Sequence, residues 1–180
     1  DRFRLPELRD TEGMYAHAAL DRMIQTQGWV CPIQADKRVD GAYYSPGQDI
    51  VVLPMKAQFN IGNTPDEIYR GGMEFYSTML HEMAHSTMTP QRLNRDGMGR
   101  FGDPKYAKEE LVAELTAAMI SHSMGFDPKV TDNSAAYLDS WIGVLKQEPK
   151  FIVSVMADVN RASDMILDHV DRQRLALNEQ

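Results

Sequence analysis

A chain of 180 residues is enough for one substantial core and short for two domains, and 43% hydrophobic with 25% charged residues is an ordinary globular composition. No apolar run approaches the roughly 20 residues that span a bilayer, and a formal charge of -7 disfavours strong nonspecific nucleic-acid binding, which depends on Lys and Arg neutralising phosphates. The single cysteine, Cys31, can form neither an internal disulfide nor a thiolate metal site.

The expectation is one domain over residues 1–180, with its core within about 12–170, working in the cytoplasm. A first residue of Asp1 rather than Met leaves room for an additional domain in a longer parent protein.

In chain order, residues 12–27 predict a helix with Met14, Ala18, Leu20, Met23 and Ile24 on one side and Gly28 as its stop. The apolar run 29–33 predicts a strand, with Cys31 as a small buried hydrophobe. Residues 41–44 and 49–54 flank Ser45-Pro46-Gly47-Gln48, a hairpin pattern, and Pro54 limits the second arm.

Thr64-Pro65-Asp66-Glu67 is a capping box with proline at the first helical position. It opens a short helix that Gly71-Gly72 is expected to interrupt, before a longer helix from Met73 to about Met88. Residues 89–102 lack a convincing period and read as a loop over the front of the site; Arg92, Arg95 and Arg100 make it basic and solvated, with contact to an acidic substrate or partner as the rival reading.

Asp103-Pro104 opens a helix to about Ser123 whose Leu111, Leu115, Ala118 and Met119 are expected to face the core. Two more helices follow, about 134–146 and 149–170, the last with an apolar stripe from Ile152 through Val155, Met156, Val159 and Ala162 to Ile166. Helix, small sheet, then a run of helices is an α+β pattern, without the βαβ alternation of a doubly wound fold.

The chemistry concentrates in His81-Glu82-Met83-Ala84-His85, an HExxH sequence within a predicted helix. Imidazoles four residues apart share one helical face about one turn apart, so their nitrogens can converge on one ion. Glu82 points to an adjacent sector, where its carboxylate can reach a water rather than the ion.

A catalytic zinc site takes three protein ligands and one open position. The third ligand has its richest source in residues 108–114, where Glu110 and Glu114 share a face and Glu109 looks elsewhere. One carboxylate there can bind metal while another accepts the second ring proton of a ligand histidine. Neutral imidazole and carboxylate suit Zn2+, and also Mn2+ or Fe2+. His17, His122 and His169 read as structural or solvent-facing, and Tyr43, Tyr44 and Tyr106 as packing groups with a polar tip that could sit near an oxyanion.

Ordered stretches around this motif carry a family likeness: Ala42-Tyr43-Tyr44-Ser45-Pro46 with Asp49-Ile50 and Leu53-Pro54, residues 75–78 leading into HEMAH, Arg92-Leu93-Asn94-Arg95, residues 106–114, and residues 136–141. Together they resemble the metallopeptidase domain of ArdC-type antirestriction proteins and the related polyvalent-protein metallopeptidases of plasmids, phages and other mobile elements. The resemblance implies a zincin-like fold with a small antiparallel or mixed sheet, an HExxH helix, a glutamate-bearing helix and C-terminal helices. It also implies His81 and His85 as metal ligands, Glu82 as catalytic base, and a third ligand within 109–114.

In that family a separate N-terminal domain binds single-stranded DNA; here only about 40 residues precede the first matching stretch. The family commonly has glycine soon after the second histidine, whereas this chain has Ser86-Thr87-Met88, so a different helix exit is expected.

Within residues 109–114 the expected ligand is Glu110, in the early turns that need the shorter connection back from the histidine helix, with Glu114 as the orienting carboxylate. The function expected is zinc-dependent hydrolysis of a peptide or related amide bond in a peptide or protein substrate. Its alternative is a non-catalytic metal-binding module, interacting or inhibitory, carried on a mobile-element protein.

Overall fold

The structure is a computed structural model that describes residues 7–96, 104–127 and 149–179. The helix expected at 134–146, the stretch 136–141, Arg100 and the Asp103 cap lie outside the described residues.

Helix α1 spans Ala18–Thr26. It starts later than the periodicity predicts, because the His17 ring nitrogen Nδ1 accepts the Leu20 N–H and acts as the N-cap. It ends on Gln27, which takes the left-handed conformation at φ 52° in place of the expected Gly28. The Gln27 side chain compensates by donating to Ile24 and Ile33 carbonyls and accepting the Ile33 N–H.

The strand expected at 29–33 shrinks to β1, Ile33–Gln34. Trp29 is instead a core residue, with its ring edge-on to His169 and its Nε1–H donated to Ser86 Oγ at 2.9 Å. Strands β2, Tyr43–Ser45, and β3, Ile50–Val52, form the expected hairpin, in register Tyr43 with Val52, Tyr44 with Val51 and Ser45 with Ile50. β1 joins β3 on its other side in parallel, giving a mixed sheet in the order β1-β3-β2 with β2 at an edge. The buried pair Tyr44 and Val51 faces the helices, and Tyr43 on the alternate face is exposed. A 3₁₀ turn, Lys56–Phe59, follows.

Helix α2 runs unbroken from Pro65 to Ser86. Its start is as predicted: Thr64 accepts the Glu67 N–H, and the Glu67 carboxylate accepts the Thr64 N–H. The expected interruption at Gly71-Gly72 is absent, because these glycines serve close packing rather than a break. A Cβ on Gly71 would stand 2.4 Å from the Phe59 carbonyl oxygen, and one on Gly72 would stand 2.4 Å from the Tyr15 backbone. Gly in a helix interior costs about 1 kcal/mol relative to Ala, and here it lets two neighbouring backbone segments lie directly on α2.

Helices α3, Pro104–Ser123, and α4, Pro149–Asn178, complete the described elements, α4 running eight residues beyond its predicted end. α3 packs against both α2 and α4, and α4 also packs against α1. That double packing corrects the predicted core face of α3: Met119 and Ala118 are exposed and Leu115 is half-buried, while Val112, Ala113, Ala117 and Ile120 are buried with Leu111. The α4 stripe is as expected, with Val155, Val159, Ala162 and Ile166 fully buried.

The main core joins Leu20 and Met23 of α1, Val51 of β3, Tyr76, Met79, Leu80 and Met83 of α2, Ile120 of α3 and Ile166 of α4. Each such side chain removed from water contributes about 1.5–3 kcal/mol before entropy. No described helix is long and apolar enough to cross a membrane.

Candidate metal centre

The HExxH residues occupy the last turns of α2, with their carboxylate counterparts on the first half of α3. The buried Leu80, Met83 and Ala84 fix the roll of α2, so that His81 and His85 look toward α3. Their rings stand edge to face, and their Nε2 atoms are 3.0 Å apart. From α3, Glu110 Oε1 lies 3.3 Å from His85 Nε2 and Oε2 lies 3.6 Å from His81 Nε2. Donor atoms of His81, His85 and Glu110 all fall within 4.8 Å of one another.

These separations test whether an ion fits. Ligands bonded at about 2.0–2.1 Å in a tetrahedral arrangement stand about 3.3 Å apart. The two Nε2 atoms, 3.0 Å apart, and the nearest Glu110 oxygen to each, at 3.3 Å (Oε1) and 3.6 Å (Oε2), lie near that value. Two imidazoles and one carboxylate are also the donor number and type of a zinc site that keeps one position open. The residues therefore fit a divalent cation.

The other two candidate carboxylates face the far nitrogens of the same rings. Glu114 Oε1 is 3.5 Å from His81 Nδ1, and Glu109 Oε1 is 3.4 Å from His85 Nδ1. Three glutamates of one helix thus surround two histidines of another, one at the shared Nε2 side and one behind each ring.

The electrostatics follow from this crowding. Burial alone would lower the His85 pKa, but hydrogen bonding to Glu109 and Glu110 outweighs it and holds His85 at about 10. Burial would raise the Glu110 carboxyl, and the two imidazoles reverse this and hold it well below the usual carboxylate range. The arrangement favours positive charge between the rings.

Glu82 behaves differently. It is buried, and burial pushes its carboxyl up; His81, His85 and the Tyr44 backbone amide pull only part of the way back. A raised carboxyl is the state suited to taking and returning a proton near neutral pH.

The basic segment after α2 is not a solvated loop where it is described. Arg92 donates to both oxygens of Asp49, at 2.8 and 2.7 Å, and to the Ser86 carbonyl at 2.6 Å. Arg95 donates to both oxygens of Glu109 and to the Ala84 carbonyl. Two guanidinium groups thus bind carbonyls of the last turn of α2 and place positive charge at its negative dipole end. Thr87 closes the helix in an ordinary right-handed conformation, so this exit needs no glycine.

Sequence reasoning missed the internal role of both arginines. The available signal was their place, six and nine residues beyond the end of a helix that terminates without glycine.

The side chains of Tyr44 and of the other histidines are engaged elsewhere. Tyr44 Oη donates to Asp49 at 2.7 Å, and burial with that bond pushes its pKa up to about 12, so this hydroxyl is committed to the hairpin. His17 caps α1, His169 packs on Trp29, and His122 sits exposed beside Asp127. A cleft of about 540 Å³ is lined by Arg95, Lys108, Glu109, Phe151 and Asp158 among others, and by none of His81, Glu82, His85 or Glu110.

Comparison with known proteins agrees with this architecture. Residues 18–158 match a family described as zincin-like metallopeptidase. The chain is 36% identical over 136 residues to a DNA primase TraC of Escherichia coli, covering 74% of this chain and 12% of that protein. It is 30% identical over 157 residues to the uncharacterised protein y4eC of Sinorhizobium fredii (strain NBRC 101917 / NGR234), covering 86% and 48% respectively.

Crystal structures of the antirestriction ArdC protein from the R388 plasmid, metal-free and Mn(II)-bound, superpose with TM-scores of 0.65 and 0.66 at 32% identity. They cover 93% of this chain, which corresponds to 57% and 58% of theirs. The chain thus spans half or less of the curated relatives above, and the likeness to ArdC-type proteins read from the motifs is borne out.

Proposed function

This chain belongs to the zincin-like metallopeptidase family, and we propose that it is a metal-dependent peptidase whose ion is held by His81, His85 and Glu110. The observation that carries the reading is the convergence of those three residues, one donor atom from each within 4.8 Å of the others, in the number and kind that suit a zinc site. Zinc is the ion we propose; the Mn(II)-bound form of the ArdC relative makes manganese the first alternative, and iron suits the same donors. Bound there, a divalent ion supplies Lewis acidity for a substrate carbonyl and an acidified water in the open position.

The chain's own groups do the rest. Glu82, one residue beyond His81 and off the ligand face, takes the proton of the attacking water on its carboxylate and returns it to the departing amine nitrogen. Glu109 accepts the Nδ1 proton of His85, and Glu114, 3.5 Å from His81 Nδ1, stands where it can orient the second ring, so that both Nε2 lone pairs are free for the ion. Burial of Glu82 keeps its proton affinity high enough for both transfers.

The substrate class is a peptide or protein. A formal charge of -7 makes this domain by itself a weak nucleic-acid binder, and we place its work in the cytoplasm.

The deciding experiment is Glu82→Gln. The variant keeps one metal per chain, measured by elemental analysis, and loses about 10²–10⁴-fold in peptide hydrolysis. Undiminished turnover would remove Glu82 as the base. A parent chain that binds metal and cleaves no member of a diverse peptide library would favour the non-catalytic module.

A further inference from the structure

We propose that Arg95 is a positioning residue of the metal centre, acting through Glu109 on His85. The inference rests on the reading of His85 as a ligand and extends it to a residue three contacts from the ion.

Three observations carry it. Arg95 grips Glu109 with a two-pronged fork, Nε to Oε2 at 2.9 Å and Nη2 to Oε1 at 2.6 Å, with each side chain only 5% exposed. The guanidinium is itself fixed from two other directions, donating to Thr87 Oγ1 at 2.7 Å and to the Ala84 carbonyl at 2.9 Å. The backbone that delivers Arg95 is tied too: its N–H donates to the Met88 carbonyl, and Asn94 turns the chain in the left-handed region at φ 49°. Arg95 is therefore anchored to the same helical turn that carries His85.

The effect on the centre follows from charge and geometry. Glu109 is nearly inaccessible to water, so without the fork its carboxylate would turn toward another hydrogen-bond donor. That rotation removes the acceptor from His85 Nδ1. With both oxygens in the fork, Glu109 stays behind the ring, which fixes the His85 orientation and tautomer with its Nε2 lone pair free. The same fork keeps Glu109 from swinging to the ion in competition with Glu110.

His81 supplies the contrast. Its partner Glu114 has a side chain 43% exposed and pairs with no lysine or arginine among the described residues. Glu114 is open to solvent, while a buried cation holds Glu109.

A merely structural Arg95 would tie the end of α2 to α3 and leave metal affinity alone, so affinity and stability must be read separately. Parent, Arg95→Met, Arg95→Lys, Glu109→Gln and the Arg95→Met/Glu109→Gln double variant are compared. Zinc affinity is taken by competition with a chromophoric chelator, visible absorption is recorded for the cobalt-loaded chains, and melting is followed without metal.

Arg95→Met and Glu109→Gln should each weaken zinc binding by roughly 10–100-fold and alter the cobalt bands. The double variant should bind about as weakly as Glu109→Gln alone, since both act on one path. Arg95→Lys, which keeps the charge without the fork, should fall between Arg95→Met and the parent.

Parental affinity in Arg95→Met, with only its melting lowered, overturns the proposal. If Arg95→Met does not fold, parental affinity in Arg95→Lys overturns it equally. A parent chain that takes up no metal overturns the site reading itself, an outcome distinct from the variant ratios.

Discussion

The two helices that face each other across the centre contribute to it in opposite ways. α2 presents two identical imidazoles from one face, four residues apart, with buried neighbours on either side that fix their direction. α3 presents three chemically identical carboxylates within six residues and sends each to a different place: Glu110 between the rings, Glu109 behind one, Glu114 behind the other. On α2 the spacing decides the role. On α3 the roll of the helix decides it, and that roll is set by packing against α2 and α4 at once.

Changes on α2 should therefore be all-or-none and changes on α3 graded, which the following variants can break. The largest effect is expected for His85→Ala, which removes one of two convergent imidazoles. Metal content by elemental analysis should fall to trace, with affinity reduced beyond the roughly 10–100-fold typical of losing an orienting partner. Near-parental content would show that the α2 pair is not the anchor.

Within α3, Glu110→Ala should weaken zinc binding more than Glu114→Ala. Glu114→Ala should cost about 10–100-fold, because it leaves all three proposed ligands present and only His81 less well oriented. Chelator competition on both folded variants measures the order, and a reversed order would exchange the roles of the two carboxylates.

The smallest expected effect on the site itself comes from the first half of α2. Gly72→Ala places a methyl group 2.4 Å from the Tyr15 backbone, so the segment before α1 must shift. A loss of about 1–3 kcal/mol in unfolding free energy is expected by denaturant titration, with metal stoichiometry unchanged. Unchanged stability would mean that the backbone of residue 15 does not lie on α2.

The same contrast explains what could be read in advance. The capping box at Thr64, the hairpin around Pro46-Gly47, the HExxH helix and the α+β arrangement depend on local spacing, and the structure shows each of them. Features that depend on a distant neighbour were not legible. Gly71 and Gly72 carry the ordinary mark of a break, and only the backbones of Phe59 and Tyr15 lying on the helix explain their presence inside it. Leu115, Ala118 and Met119 follow a helical period, yet α3 is covered on two sides and buries Val112, Ala113 and Ala117 instead. Arg92 and Arg95 looked solvated because their acidic partners lie 43 residues before and 14 residues after them.

The central claim, that His81, His85 and Glu110 hold one ion, is tested most directly by crystals of the zinc-loaded chain measured on both sides of the zinc absorption edge. The account predicts a single anomalous peak at about 2.0–2.2 Å from His81 Nε2, His85 Nε2 and a Glu110 oxygen, with a fourth position open to solvent. A peak bonded to Glu109 or Glu114 in place of Glu110, or one away from the imidazole pair, would contradict it.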